Sequence, residues 1–573
     1  MILGSLILDQ RNRKVFIYML LILFCLFTTS CIKQMNLYQG DKEEDENGGN
    51  ASTNQEVICE PDFLYPFDKE TQHVQAEIII HTKTKLSDVQ TMTAQIPPLK
   101  YNKSWLCMLT QDDCQHAAFS CTWAAIHGKP LSKEYFYDLT HLQTGDLPPD
   151  MYVLGKTLGS TDGAGNEIRF SFTTTLAPEW EFMDAKTSIN KGFSENYYRF
   201  FMKSGLIWGN VKEMLNYGVG ISFHDVNTED VRNEQVILEH YEIAQNIMLD
   251  KLSGRGCKML AEPNGNRTYA NAAILYQPIQ TMTAEKDATM LYPYQDKQDL
   301  KKTIIQRSFY NPNNTDKKEN IEILKDAITN ELLKPKEERS AICIGVHRTD
   351  LSWVDFFLWL NNEYGKDGSD NIWMPSQEEY YEYNYYRTLG KLSNPIPLDD
   401  SSFKLIVNLP CEKYFYYPSV TINLSGIQLE NIASIETNND VTGLSYADYN
   451  DGIMLNIDCR KYLFEHAENF VKRYEANPSD ASNKADALYF VNILKESAKK
   501  EALKKTTSIN QQISIKRKYS YERNSHPHPR NHLLVRPVHG VLHLSGLRHR
   551  PLRPRQAERA FRETRETGAA TGQ

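Results

Sequence analysis

Asp112 and Asp113 stand side by side at the end of the apolar run Leu106-Cys107-Met108-Leu109-Thr110-Gln111. Adjacent carboxylates repel each other, and they are stable together where one holds a cation and the other acts as base toward water on that cation. The same pair equally suits a helix N-cap, because helical sequence follows directly. Three more groups occupy comparable places: His224 follows Gly218 to Phe223, Glu262 follows Lys258 to Ala261, and His347 follows Ala341 to Val346. A single histidine past a strand is commonly structural, so position alone leaves these roles open.

The elements that would position these groups alternate. Trp105 to Leu109, Val219 to Phe223, Lys258 to Ala261 and Ala341 to Val346 read as short buried strands. Gln115 to His127, Glu234 to Leu252 and Asp355 to Tyr364 read as helices. Strands alternating with helices predict parallel βα units, as a barrel or a doubly wound sheet. In both, chemistry sits past the C-terminal strand ends, where all four groups fall. From Ser402 to Asp458 the texture changes to alternating segments such as FKLIVNL and VTINLSG, which predicts a small antiparallel β-sandwich. Two helical stretches follow, Arg460 to Ala476 and Ala485 to Leu503.

Thr110-Gln111-Asp112-Asp113 after an apolar strand resembles the first motif of the NodB-like polysaccharide deacetylases, carbohydrate esterase family four, whose usual form is T-F-D-D. The resemblance implies Asp112 as base and Asp113 as metal ligand. The strand into His224 is similar to the approach to the second motif, which would make His224 a ligand too, but the further His expected four residues on is Thr228 here. Leu260-Ala261-Glu262-Pro263-Asn264-Gly265 stands where the family has an Arg-Pro-Pro-Tyr-Gly-like turn, so Glu262 replaces the arginine that orients the base. Ala341 to His347 looks like the last motif, and His347 would be the general acid. The resemblance spans about Tyr101 to Arg387. It implies a distorted (β/α) barrel of the NodB-like type with the sandwich and a C-terminal helical pair added, a divalent metal, with zinc expected, and a glycan substrate. Glu262 and His116, one helical turn beyond Asp113, are the candidates for a third ligand. Trp373, Glu379 and Tyr380 could line a sugar cleft, and a helix with one aromatic face in the core is the equal alternative. Two other functions remain possible on sequence: a glycan-binding lipoprotein that has lost catalysis, and a glycosidase using Asp112 and Glu262, which carboxylate separation would diagnose.

The totals bound these readings. At 573 residues, with 41% hydrophobic and 11% aromatic content, the chain is globular and long enough for several units. The formal charge of −9 gives no reason to expect nucleic acid. Arg11, Arg13 and Lys14 precede the apolar run Val15 to Phe27, and Thr28-Thr29-Ser30-Cys31 follows, which resembles a lipoprotein signal with Cys31 as the lipid attachment site. A membrane-spanning anchor is disfavoured because the apolar run falls short of roughly 20 residues. The implied product is exported and held at the outer membrane or cell surface. From Tyr519 to Gln573 there are ten Arg, four Glu and no Lys or Asp, a charge of +6 against −15 for the rest. So abrupt a switch from Lys to Arg fits a change of reading frame or a joined foreign sequence, with a genuine basic tail as the alternative. The expected organisation is a signal over 1–31, an acidic linker over 32–56, a β-containing segment over 57–100, the barrel over 101–395, the sandwich over 396–459, the helical pair over 460–505 and a basic tail over 506–573. Eight cysteines follow the signal, and Cys411 and Cys459 are the pair to test for a disulfide.

Overall fold

The computed structural model describes residues 54–67, 73–86, 89–190, 197–201, 205–226, 231–295, 297–310 and 317–507. All of these belong to one unit, Met1–Ile515. The signal-like segment with Cys31, Thr228 and the basic tail from residue 508 on lie outside the described residues.

The architecture is mixed α/β. Strand β1 (Trp105–Gln111) is buried at all seven positions, as a near-continuous apolar run requires when both faces of a parallel sheet are covered. Its side chains divide between two cores. Trp105, Cys107 and Leu109 pack with the helices, while Leu106 and Met108 join the core that also serves the sandwich. On one edge β1 pairs in parallel with β2 (Thr173–Thr175), and β2 with β3 (Gly220–Ser222). A parallel bridge from Phe223 to Leu260 continues to β4 (Met259–Ala261). From there β4 pairs in parallel with β5 (Thr281–Ala284), and β5 with β6 (Ile304–Gln306). Two residues further along the chain, Ser308–Phe309 pairs with β7 (Ile342–Val346), and β7 pairs in parallel with the other edge of β1. Among the helices that follow these strands are α1 (Glu234–Lys251) and α2 (Leu351–Glu363); α2 buries Trp353, Phe356, Phe357 and Leu360. Their N-caps are Asn233 and Asp350, each accepting backbone N–H groups of the first turn.

Helix α3 (Gln377–Leu389) carries most of the Tyr-rich run, and it joins the strands to the sandwich. Glu378 accepts the N–H of Ile221 in β3 at 2.9 Å. Glu382 accepts the N–H of Tyr416 at 2.8 Å and of Tyr417 at 2.6 Å. Arg255 and Lys258 complete the group: Arg255 Nη2 lies 2.6 Å and Lys258 Nζ 3.2 Å from Glu378, and Lys258 lies 2.8 Å from Glu382. All four side chains are fully enclosed.

The sandwich draws on both ends of the chain. Val74–Thr82 pairs antiparallel with Ser402–Leu409 on one side and Ile432–Thr437 on the other. The second sheet runs Gly443–Tyr449, Gly452–Asp458, Ser419–Ser425 and Ala94–Gln95. Ile78, Leu405, Ile422 and Leu455, from both sheets, share one core. The segment over 57–100 is therefore not a separate element: Cys59, Tyr65 and Phe67 pack into the core of the helices, while from Val74 on it is part of the sandwich, because the period-two apolar face of Val74–Thr82 is completed only by strands from beyond residue 400. Cys411 and Cys459, the pair to test for a disulfide, are both free thiols.

Helices α4 (Leu463–Ala476) and α5 (Ala481–Ile493) pack with Phe470 and Phe490 stacked at 4.1 Å. The helix expected to run on to Leu503 stops at Ile493, where Leu494 bridges to Gly443, and resumes at 498. Asp486 on α5 is fully buried against Lys129 at 2.5 Å, Arg169 at 2.5 Å and Tyr217 Oη at 2.7 Å. His466 on α4 donates from Nε2 to the Asn216 carbonyl at 2.8 Å, and burial, reinforced by Arg460 and Arg473, lowers its pKa to about 3 against the opposing pull of that bond. In the unfolded chain it titrates near 6.5, so the unfolded state binds more protons between these values. Its contribution is complete above about pH 6.5 and falls by roughly 1.4 kcal/mol per pH unit below. Melting temperature should fall between pH 7 and pH 4.5, and less steeply in His466→Phe. Equal slopes in the two proteins would show that this imidazole is protonated in the fold.

Candidate active site

The turn after β1 is built from an unusual backbone. Asp113 and Cys114 both take positive φ, 60° and 49°, a region that non-glycine residues occupy at a cost and that clusters at functional sites. Surrounding bonds hold it there. Asp112 N donates to Val346 O at 2.8 Å, Cys114 N to Thr175 Oγ1 at 3.2 Å, and Leu206 N to Cys114 O at 2.9 Å. Asp112 is thereby buried, and Asp113 turns a partly exposed carboxylate outward.

His224 meets this pair from the end of β3. Its Nδ1 lies 2.8 Å from the Ala261 carbonyl. A carbonyl only accepts, so Nδ1 carries a hydrogen and Nε2 is aimed at the carboxylates. Nε2 is 3.4 Å from Asp113 and 4.0 Å from Asp112. Burial lowers the His224 pKa, but Asp112 and then Asp113 outweigh it and lift the value to about 9. The negative field is strong enough to hold a positive charge on the ring. Asp225 adds a further carboxylate, and ligand atoms of Asp113, His224 and Asp225 all lie within 4.8 Å of one another.

Neither candidate for the third donor is in this cluster. His116 is buried elsewhere, with Nε2 2.8 Å from Asp138 and Nδ1 3.2 Å from Ser120. The Glu262 carboxylate lies 3.1 Å from Arg267 Nε, in an ionic contact without hydrogen-bond alignment. Burial raises its pKa in spite of Arg267 and Arg307.

Arg307, between β6 and Ser308–Phe309, was not foreseen from the sequence. Its Nη1 donates to Asp112 Oδ1 at 2.6 Å and its Nη2 to the Glu262 carbonyl at 3.0 Å. A guanidinium thus reaches the buried carboxylate although the third motif carries none. Arg307 also lies 5.0 Å over the Phe309 ring, and Phe309 stacks on His347 at 5.0 Å. Gly345 makes that stacking possible, since a Cβ there would stand 2.6 Å from the Phe309 ring. His347 is half-buried.

The structure does not place Trp373, Glu379 and Tyr380 at this site. Trp373 pairs with Leu106 near the start of β1, the opposite end from Asp112. Trp373 and Tyr380 are 1% and 2% exposed, and Glu379 pairs with Lys100 at 2.9 Å. The aromatic run is core.

Carboxylates and imidazoles converging past the ends of parallel strands form an acid–base site of the kind a hydrolytic enzyme of α/β architecture needs. A family model described as "Putative polysaccharide deacetylase" matches residues 76–508, and the chain belongs to the polysaccharide deacetylase family. The family assignment gives the chain its class, a carbohydrate deacetylase and so a hydrolase. A search of curated proteins finds no match.

Proposed function

We propose that this protein is a metal-dependent deacetylase acting on a cell-envelope glycan. The observation that carries the reading is the convergence of Asp113, His224 and Asp225 within 4.8 Å, with the His224 tautomer set by Ala261 O. Three donors and an open position suit a catalytic divalent ion, so Asp225 takes the part left vacant at Thr228. A divalent cation held there, with zinc expected, supplies charge that lowers the pKa of water and offsets the negative charge developing on the acetyl oxygen. Asp112, aimed by Arg307, accepts the proton of the attacking water. His347, braced by Phe309, gives a proton to the departing amine or alcohol. The parallel pairings from β1 round to β6, and from Ser308–Phe309 through β7 back to β1, support a distorted (β/α) barrel as the frame.

Asp113→Ala, His224→Ala and Asp225→Ala should each lose bound metal by elemental analysis, and with it acetate release from an acetylated glycan. A wild-type protein that binds glycan but neither takes up metal nor releases acetate would favour the glycan-binding reading instead. Arg307 and Asp225 favour the enzyme, since they offer a guanidinium to Asp112 and a third donor beside His224.

We infer export and lipid anchoring from the signal-like start. Cys31→Ser should abolish lipid labelling and release the protein from the membrane, and unchanged labelling would show that the segment is not a lipoprotein signal. Among the described residues no helix is long and apolar enough to cross a membrane.

A further inference from the structure

Asp112 and His224 are each aimed by a hydrogen bond, Asp112 from Arg307 and His224 to the Ala261 carbonyl. His347 makes none among the described residues, and its ring stacks on Phe309. Its place therefore depends on the chain on either side of it. Before His347, β7 is held to β1, with Gln111 facing Val346 and Asp112 N donating to Val346 O at 2.8 Å. Past these residues both strands have ended, and the hold passes to side chains.

Three of those side chains close a ring. Thr122 Oγ1 donates to Gln111 Oε1 at 2.8 Å, Gln111 Nε2 donates to Thr349 Oγ1 at 3.3 Å, and the two threonine hydroxyls lie 2.9 Å apart. Because the Thr122 hydrogen is engaged with Gln111, Thr349 supplies the hydrogen of the third bond. Each member then donates once and accepts once within the ring, an arrangement in which every bond polarises the next. The other acceptor within reach of Thr349 Oγ1, the Ala117 carbonyl, is farther off at 3.3 Å. Gln111, Thr122 and Thr349 are 0%, 0% and 2% exposed, so water does not compete for these bonds.

The ring joins the segments that carry the chemistry. Gln111 immediately precedes Asp112, Thr349 is two residues past His347, and Thr122 lies in the π-helical turn Ala118–Trp123 that follows Asp113. That winding is rare and occurs frequently at functional sites. Gln111 is also the residue that departs from the usual T-F-D-D form, and a phenylalanine there could make neither of its side-chain bonds. A buried amide has to be matched, and here the match ties the segment of the base to the segment of the acid. We propose that Gln111, Thr122 and Thr349 are positioning residues that fix the separation of Asp112 and His347. The proposal rests on the deacetylase reading for the roles of those two groups. Buried as they are, the three act through Asp112 and His347 rather than on the glycan.

The test compares the full chain with Thr122→Val, Thr349→Val, the two together, and Thr349→Ser. Each valine should lower kcat for acetate release by about ten- to a hundredfold, the scale on which small misplacements of reacting groups act, with KM and bound metal unchanged. The double variant should be little worse than either single one, because one break opens the ring. Thr349→Ser keeps the hydroxyl and should keep most of the activity. A second readout needs neither metal nor acetate: in protein carrying isotope-labelled histidine, the imidazole signal that is lost in His347→Gln should shift in Thr122→Val and stay in place in Thr349→Ser. Wild-type kcat in the valine variants, a serine variant as slow as the valine, or an unmoved His347 signal in Thr122→Val would each overturn the proposal. If the wild-type protein itself releases no acetate, the deacetylase reading fails, and the histidine signal alone decides whether the ring sets the place of His347.

Discussion

Asp112→Asn should keep its metal and lose acetate release by about 10²- to 10⁴-fold, the range over which a positioned general base contributes. Its partner makes the prediction sharper. Arg307→Met removes the donor at 2.6 Å and should lower kcat with little change in KM, since the guanidinium touches the base rather than the glycan. Arg307→Lys should recover part of the loss. The double variant Asp112→Asn/Arg307→Met should be little worse than Asp112→Asn alone, because groups acting as one unit are not additive. Unchanged activity in Asp112→Asn with metal present would remove Asp112 from the reaction, and multiplicative losses in the double variant would separate Arg307 from it.

The largest stability effect is expected at the junction between the strands and the sandwich. Glu378→Ala leaves Arg255 without its carboxylate and Lys258 with only Glu382 in a region closed to water. Breaking a buried ion pair from one side typically costs about 3–5 kcal/mol, whereas the intact pair adds little net stability. Glu378 also accepts the Ile221 N–H, three residues before His224, so the variant should lose metal affinity along with stability. Urea unfolding and metal titration check both. A loss below about 1 kcal/mol would mean that water reaches this cluster, and the replacement Glu378→Gln should then be nearly silent.

The sequence exposed the ends of the strong strands and little between them. β1 and β7 are long apolar runs, so their terminal groups Asp112, Asp113 and His347 stand out. β2 is Thr173-Thr174-Thr175 and β5 is Thr281-Met282-Thr283-Ala284, short and hydroxyl-rich, without the apolar run that marks a buried strand. Without β5 and β6 as strands, nothing singled out Arg307 as a group past a strand end. Asp225 is adjacent to His224, but the family spacing points four residues downstream, to Thr228. The aromatic run misled for a different reason: Tyr and Trp suit a core and a sugar cleft equally, and only the parallel register of Trp373 with Leu106 decides. His116 had the right type and spacing, and its carboxylate partner, Asp138, comes from a part of the chain where no pattern pointed to it.

The place of Val74–Thr82 in the middle of its sheet bears on how the chain is made. This strand leaves the ribosome early, yet both of its neighbours lie over three hundred residues downstream. Closing a loop of that length is slow, and until it closes an apolar strand waits with two unpaired edges, a template for association with other chains. Synthesis that stops before Thr437 should therefore yield aggregates rather than a smaller working enzyme, and a chaperone that covers this segment during synthesis should raise the yield of folded protein more than one acting later.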